Sequence, residues 1–107
     1  MNEIKNEIKY FLQKIESIYK INKVYIFGSY AYGTPNNDSD IDICIITEED
    51  DISIRDMLKN IRKSTIDVID KPLDILIYKK DHFEERSVNE STIEYTISKK
   101  GVKVYGE

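Results

Sequence analysis

Apolar residues recur at Ile4, Ile8, Phe11, Leu12, Ile15 and Ile18, with Glu and Lys between them, so the first segment is predicted to be an amphipathic helix ending near Tyr19. Its stripe is assigned to the core, because a small sheet needs a helix over one face; this outweighs a partner-binding or membrane-surface role. Asn22 marks a turn. Val24 to Phe27 is a short β-rich apolar run, and Gly28-Ser29 ends it abruptly, as a strand leaving a sheet into a tight turn would. From Asp40 to Ile45 the chain alternates with a period of two, predicting a second strand.

Thr47 to Asp51 forms an acidic turn, after which Ile54, Met57, Leu58, Ile61, Thr65 and Val68 return to helical spacing. Carboxylates at that helix start suit its dipole, and Arg55, Lys59, Arg62 and Lys63 read as a solvated face. Pro72 stops any helix and admits a third strand, in which Leu73, Ile75 and Ile77 alternate with Asp74, Leu76 and Tyr78. The polar run around His82 starts a short helix, with this sole histidine at the surface. Ser91 to Glu94 has capping-box spacing, Gly101 is placed to end the helix that follows, and Val102 to Tyr105 reads as a last short strand.

Composition narrows the function. A chain of 107 residues fits a single domain over residues 1–107, with one modest core and no separate substrate domain. With 16 basic and 20 acidic residues the formal net charge is −4, which argues against nucleic acid as the direct substrate. Cys44 is the only cysteine, so no intrachain disulfide or cysteine metal cluster can form, and a reducing cytoplasmic setting is expected. The charged N-terminus has no apolar signal core, and no run is long enough to span a bilayer.

The candidate chemistry is concentrated between Phe27 and Ile43. Amides exposed by the Gly28-Ser29 turn would sit at the positive end of a short helix beginning at Ser29, where phosphate is stabilised and the Ser29 hydroxyl adds a donor. In a strand Asp40 and Asp42 point to the same side, roughly 6.5–7 Å apart at Cα. Two like charges on an apolar strand call for a cation, and hard oxygen ligands suit magnesium, with manganese as a substitute. An aligned neighbouring strand, about 4.8 Å away, would bring Asp74 to the same ions. Asp67 is a rival for that role, but it falls within the helical repeat.

Other readings of these residues fare worse. Gly28 to Gly33 has P-loop glycine spacing, but Thr34-Pro35 stands where Lys and Ser or Thr are required. Asp38, Asp40, Asp42 and Glu49 mimic calcium-loop ligands, yet Ile43 occupies the glycine position. A merely solvated hairpin tip from Asp38 to Asp42 would leave Gly28-Ser29 and Asp74 unexplained, and Asp74 as a gatekeeper against edge aggregation is a secondary alternative.

The order G-S, ten residues, D-I-D, with Asp74 in P-L-D-I-L-I-Y and a tail of F-E-E-R and T-I-E-Y, resembles the minimal nucleotidyltransferases of the DNA polymerase β-like superfamily, including antitoxins paired with HEPN-domain toxins. The resemblance implies an α+β fold, a small mixed β-sheet with helices mainly on one face. It implies transfer of AMP from ATP to a hydroxyl, a tyrosine of a HEPN toxin being the expected acceptor. Two Mg2+ ions would be held by Asp40, Asp42 and Asp74 as metal ligands and catalytic residues, and Gly28 and Ser29 would bind the nucleotide. A non-catalytic binding antitoxin and a small-molecule, antibiotic-type transferase subunit are the alternatives. Members of the family often carry arginine where this chain has Tyr32, leaving Lys79, Lys80 or a partner residue as replacement cations.

Overall fold

The computed structural model describes residues 4–33 and 39–106; Thr34, Pro35 and Asp38, which enter the rival readings, lie outside them. The described elements are α1 (Lys5–Ile18), β1 (Ile21–Phe27), α2 (Ser29–Tyr32), β2 (Ile41–Thr47), α3 (Ile54–Thr65), β3 (Leu73–Lys79), α4 (Lys80–Ser87), α5 (Ile93–Lys100) and β4 (Val102–Tyr105). The strands form one sheet in the order β3-β2-β1-β4. β1 is antiparallel to β2 and β4, whereas β2 and β3 are parallel. A parallel neighbour cannot be reached through a hairpin, and α3 supplies the crossover. The fold is therefore α+β with a mixed sheet, as the family resemblance implies.

The parity of β2 divides the molecule into two apolar layers. Ile41, Ile43 and Ile45 join Ile8, Phe11 and Ile15 of α1 and Met57 and Ile61 of α3 in the larger core. Cys44 and Ile46 point the other way, against Phe83 of α4 and Ile97 of α5. The long helices and α2, through Tyr30, thus share one face, and the two eight-residue helices cover the other. Ser53 caps α3 by accepting from the Asp56 N–H at 3.1 Å. That helix ends at Thr65, whose carbonyl accepts from Val68 N–H in a closing turn, so Val68 packs from beyond the helix.

The capping box expected at Ser91 does not form. Thr92 is the cap of α5, accepting from Tyr95 N–H at 3.1 Å, and Glu94 turns inward instead of reaching back. Only 3% exposed, Glu94 accepts from the Tyr78 hydroxyl at 2.5 Å and from Arg86 Nε at 2.9 Å. One carboxylate thereby ties α4 and α5 to β3. Tyr78 also packs edge-on against Phe83 and stacks with the exposed His82.

Burial pushes the Glu94 carboxyl upward, but the hydrogen bonds from Tyr78 and Arg86 outweigh it and hold the group below its ordinary range. A carboxyl depressed in the fold contributes stability that is complete above its unfolded value and lost as pH falls through the folded value. Glu94→Ala should therefore lower stability by about 1–3 kcal/mol near neutrality, leaving the Tyr78 hydroxyl unpaired. The deficit relative to wild type should shrink in acid, as denaturant titrations at pH 7 and pH 3 would show. A deficit that does not change with pH would assign the whole loss to packing.

Candidate active site

Phe27, Asp42 and Asp74 are register partners in a row across β1, β2 and β3. The parallel pairing of β2 with β3 sets the two aspartates side by side, on the face carrying Cys44 and Ile46 farther along. Cys44 is completely buried beneath α4 and α5, but towards the start of β2 the face opens: Asp42 is half-buried, while Asp40 and Asp74 are exposed. Burial, reinforced by Glu94, pushes the Cys44 thiol up to about 12, which makes it an inert packing group.

Gly28 turns the chain from β1 into α2 with φ 73°, a left-handed conformation that favours glycine. A side chain is excluded here for a second reason. A Cβ would overlap the Asp42 Oδ2 atom and come within 2.9 Å of its carboxyl carbon, so the turn's backbone lies against that carboxylate. The Gly28 carbonyl accepts from Ala31 and Tyr32 N–H at 3.0 and 2.9 Å, and Ser29 is exposed at the start of the helix. The Ser29 and Tyr30 amides precede the first internal donor of α2, so helix geometry provides them no carbonyl.

The Asp42 carboxyl is pushed up to about 6, first by burial, then by the charge of Asp74 and a hydrogen bond with it, and least by the charge of Asp40. Asp42 and Asp74 are thus brought together, with Asp40 a more distant contributor at the strand entrance. Among the described residues no group of three or more His, Cys, Asp or Glu side chains closes into a metal cluster. The donor set nonetheless fits a divalent ion: two opposed carboxylates, one of them too poorly solvated to stay charged easily, are what a hard cation relieves.

The replacement cations lie elsewhere. Lys79 is at the far end of β3, five residues and roughly 16 Å from Asp74. Its Nζ donates to the carbonyls of Glu49 at 2.5 Å and Ile52 at 2.6 Å, closing the loop between β2 and α3. Lys80 follows at that same end. Tyr32, 46% exposed, stays beside the site: its phenol is raised by burial, against hydrogen bonding with the Gly28 backbone, and further by the charge of Asp42. A cavity of about 640 Å3 between α1 and β4 includes none of the three aspartates. What sequence patterning missed is the link between Glu94 and Tyr78, which joins distant positions and leaves no periodic signal.

A profile of the family described as "Nucleotidyltransferase domain" matches residues 8–103, and the chain belongs to that family. It is a nucleotidyltransferase enzyme. Two Methanocaldococcus jannaschii proteins, MJ1215 and MJ0604, each named "Putative protein adenylyltransferase", are similar in sequence. The first is 34% identical over 76 residues, covering 66% of this chain and 88% of the relative. The second is 46% identical over 52 residues, covering 47% and 51%. The fold is shared with a solved chain described as a "putative nucleotidyltransferase from Sulfolobus solfataricus", at 20% identity and TM-score 0.59, covering 97% of this chain and 86% of that one. It is also shared with a toxin-antitoxin solved with AMP-PNP, at 24% identity and TM-score 0.56, covering 95% and 73%.

Because the folded value of Asp42 lies above the unfolded one, its contribution to stability is complete below about pH 4 and is lost as pH rises through about 6. Asp42→Asn should accordingly raise the melting temperature of the metal-free protein at pH 8 and give no gain at pH 4. Scanning calorimetry at the two values checks this. Gly28→Ala should do the opposite, lowering the melting temperature at both, because its strain comes from φ and overlap rather than from charge.

Proposed function

We propose that residues 1–107 act as a single domain that transfers AMP from ATP to a hydroxyl of a partner protein, and that the acceptor is a tyrosine of a HEPN-type toxin which the chain silences as its antitoxin. The observation that carries the reading is the pairing of Asp42 with Asp74 in register beside the Gly28 turn. The curated relatives, named as protein adenylyltransferases, favour a protein acceptor. The toxin-antitoxin with AMP-PNP, alike in fold, motivates the partner and the nucleotide.

In this reading Gly28 and Ser29 hold the triphosphate through the amides at the start of α2 and the Ser29 hydroxyl. Asp40, Asp42 and Asp74 would hold two divalent ions, Mg2+ or Mn2+, which when bound neutralise phosphate charge and polarise the reacting oxygens. Asp74, exposed at the outer strand, stands where an acceptor can approach and receives the hydroxyl proton. The hydroxyl oxygen bonds to the α-phosphorus, and pyrophosphate leaves in line. Asp42, raised towards neutrality when alone, would be favoured in its charged form with a cation held beside it. AMP added to the partner places a phosphate charge where it repels an RNA backbone. Among the described residues no helix is long and apolar enough to cross a membrane.

Asp40→Asn, Asp42→Asn and Asp74→Asn should each reduce Mg2+-dependent transfer by about 10²-fold or more with circular dichroism unchanged. The assay incubates the chain with labelled ATP and Mg2+, with and without the product of the adjacent gene, then locates any adduct by mass spectrometry. Label found only on a small molecule or on nucleic acid would overturn the reading. Tight inhibition of the toxin with no adduct would establish a binding antitoxin instead.

A further inference from the structure

β3 is an outer strand: in the order β3-β2-β1-β4 no described strand lies beyond it. Ile41 N–H donates to the Pro72 carbonyl at 2.9 Å, in keeping with the register of Ile41 with Leu73. Peptide groups of a strand alternate in direction, so those of Asp74, Leu76 and Tyr78 face β2, and those of Leu73, Ile75 and Ile77 face outward. Arg62 confirms the direction by donating from Nη2 to the Leu73 carbonyl at 3.3 Å. Among the described residues nothing is shown paired with the outward groups of Ile75 and Ile77, which form a template for another strand.

A groove of about 240 Å3 runs beside this edge, lined by Arg62, Ile66, Ile69, Lys71, Leu73 and Ile75 among others. Ile66, 75% exposed, offers the groove an apolar surface that the core does not use. The chain as a whole carries a net charge of −4, yet both charged residues lining this groove are basic. The feature sits on the strand that carries Asp74.

Building on the adenylyl-transfer reading, we propose that the acceptor hydroxyl arrives on an extended segment of the partner protein that pairs with the open edge of β3. Its recognition pattern is an acceptor residue between two apolar ones, with a carboxylate three positions from the acceptor. A residue paired opposite Asp74 lies about 4.8 Å away, with its side chain on the Asp74 face. Its two neighbours in the segment point to the opposite face, where the groove's Ile66, Ile69, Leu73 and Ile75 receive them. A carboxylate three positions from the acceptor shares that face, where Arg62 and Lys71 meet it. In the reaction the acceptor O–H bond breaks, its oxygen bonds to the α-phosphorus, the bond to pyrophosphate breaks, and the proton passes to Asp74. A nucleic acid does not suit this edge, since its backbone has no alternating N–H and C=O groups to pair with those of Ile75 and Ile77.

The test uses a short capped peptide with the central order Glu-Ser-Val-Tyr-Val-Ser-Glu, which serves either strand direction, at millimolar concentration and reads backbone amide exchange by NMR without ATP. The Ile75 and Ile77 amides should slow by about fivefold or more, and those of β4 should not change. Ile66→Asp should abolish that protection. Lys71→Glu should weaken it for this peptide and restore it for one flanked by Lys in place of Glu. Methylating the peptide's alternate backbone nitrogens should remove it. Absent protection, protection only at β4, or equal protection by a single-stranded oligonucleotide would each overturn the docking mode. Transfer of AMP to the bound peptide is measured separately with Mg2+ and ATP. Protection without transfer would support the docking mode and count against the adenylyl-transfer reading alone.

Discussion

Two carboxylates, Asp42 and Asp74, stand opposite each other across a parallel strand pair, and the register that opposes them is set by the same residues that build the core. Ile41, Ile43 and Ile45 must face α1 and α3, so Asp42 must face away, and a slip by one residue would bury the charge and move Ile41 and Ile43 to the open start of the other face. Leu73, Ile75 and Ile77 impose the same parity on β3. The energetics of packing thus fix the position of a pair that is itself electrostatically unfavourable. The Asp42 carboxyl, raised to about 6, records that tension.

The opposed pair depends on its surroundings in two ways. Gly28 admits the turn of the β1–α2 junction against Asp42 because it has no side chain, so one residue serves both the backbone path and the approach to the carboxylate. On the same face α4 and α5 cover the sheet only as far as Cys44, leaving the strand starts open. Glu94 holds that cover by linking Tyr78 of β3 with Arg86 of α4. The far end of the sheet is closed separately, by Lys79 on the Glu49 and Ile52 carbonyls.

Much of this was legible in the sequence because period two and period 3.6 are local signals. The alternation around Asp42 and around Asp74, the helical stripe from Ile8 to Ile15, and the break at Gly28 all appear where expected. The strand order and the parallel β2–β3 pairing are non-local, and the alternation alone could not assign Asp74 to Asp42 without an assumed neighbour. Glu94 had the spacing of a capping residue, but Tyr78 and Arg86 offered its carboxylate stronger partners than the helix end. Lys79 was a candidate for phosphate because sequence shows it near Asp74, whereas extended backbone carries it to the opposite end of the strand.

The most direct test of the opposed carboxylates is a carbon NMR titration of the Asp42 carboxyl in the isolated protein, with and without Mg2+. The opposed pair requires a midpoint near 6 in the absence of metal and a clear fall when Mg2+ and a non-hydrolysable ATP analogue are added. A midpoint in the ordinary aspartate range, unchanged by Mg2+ and nucleotide, would contradict it.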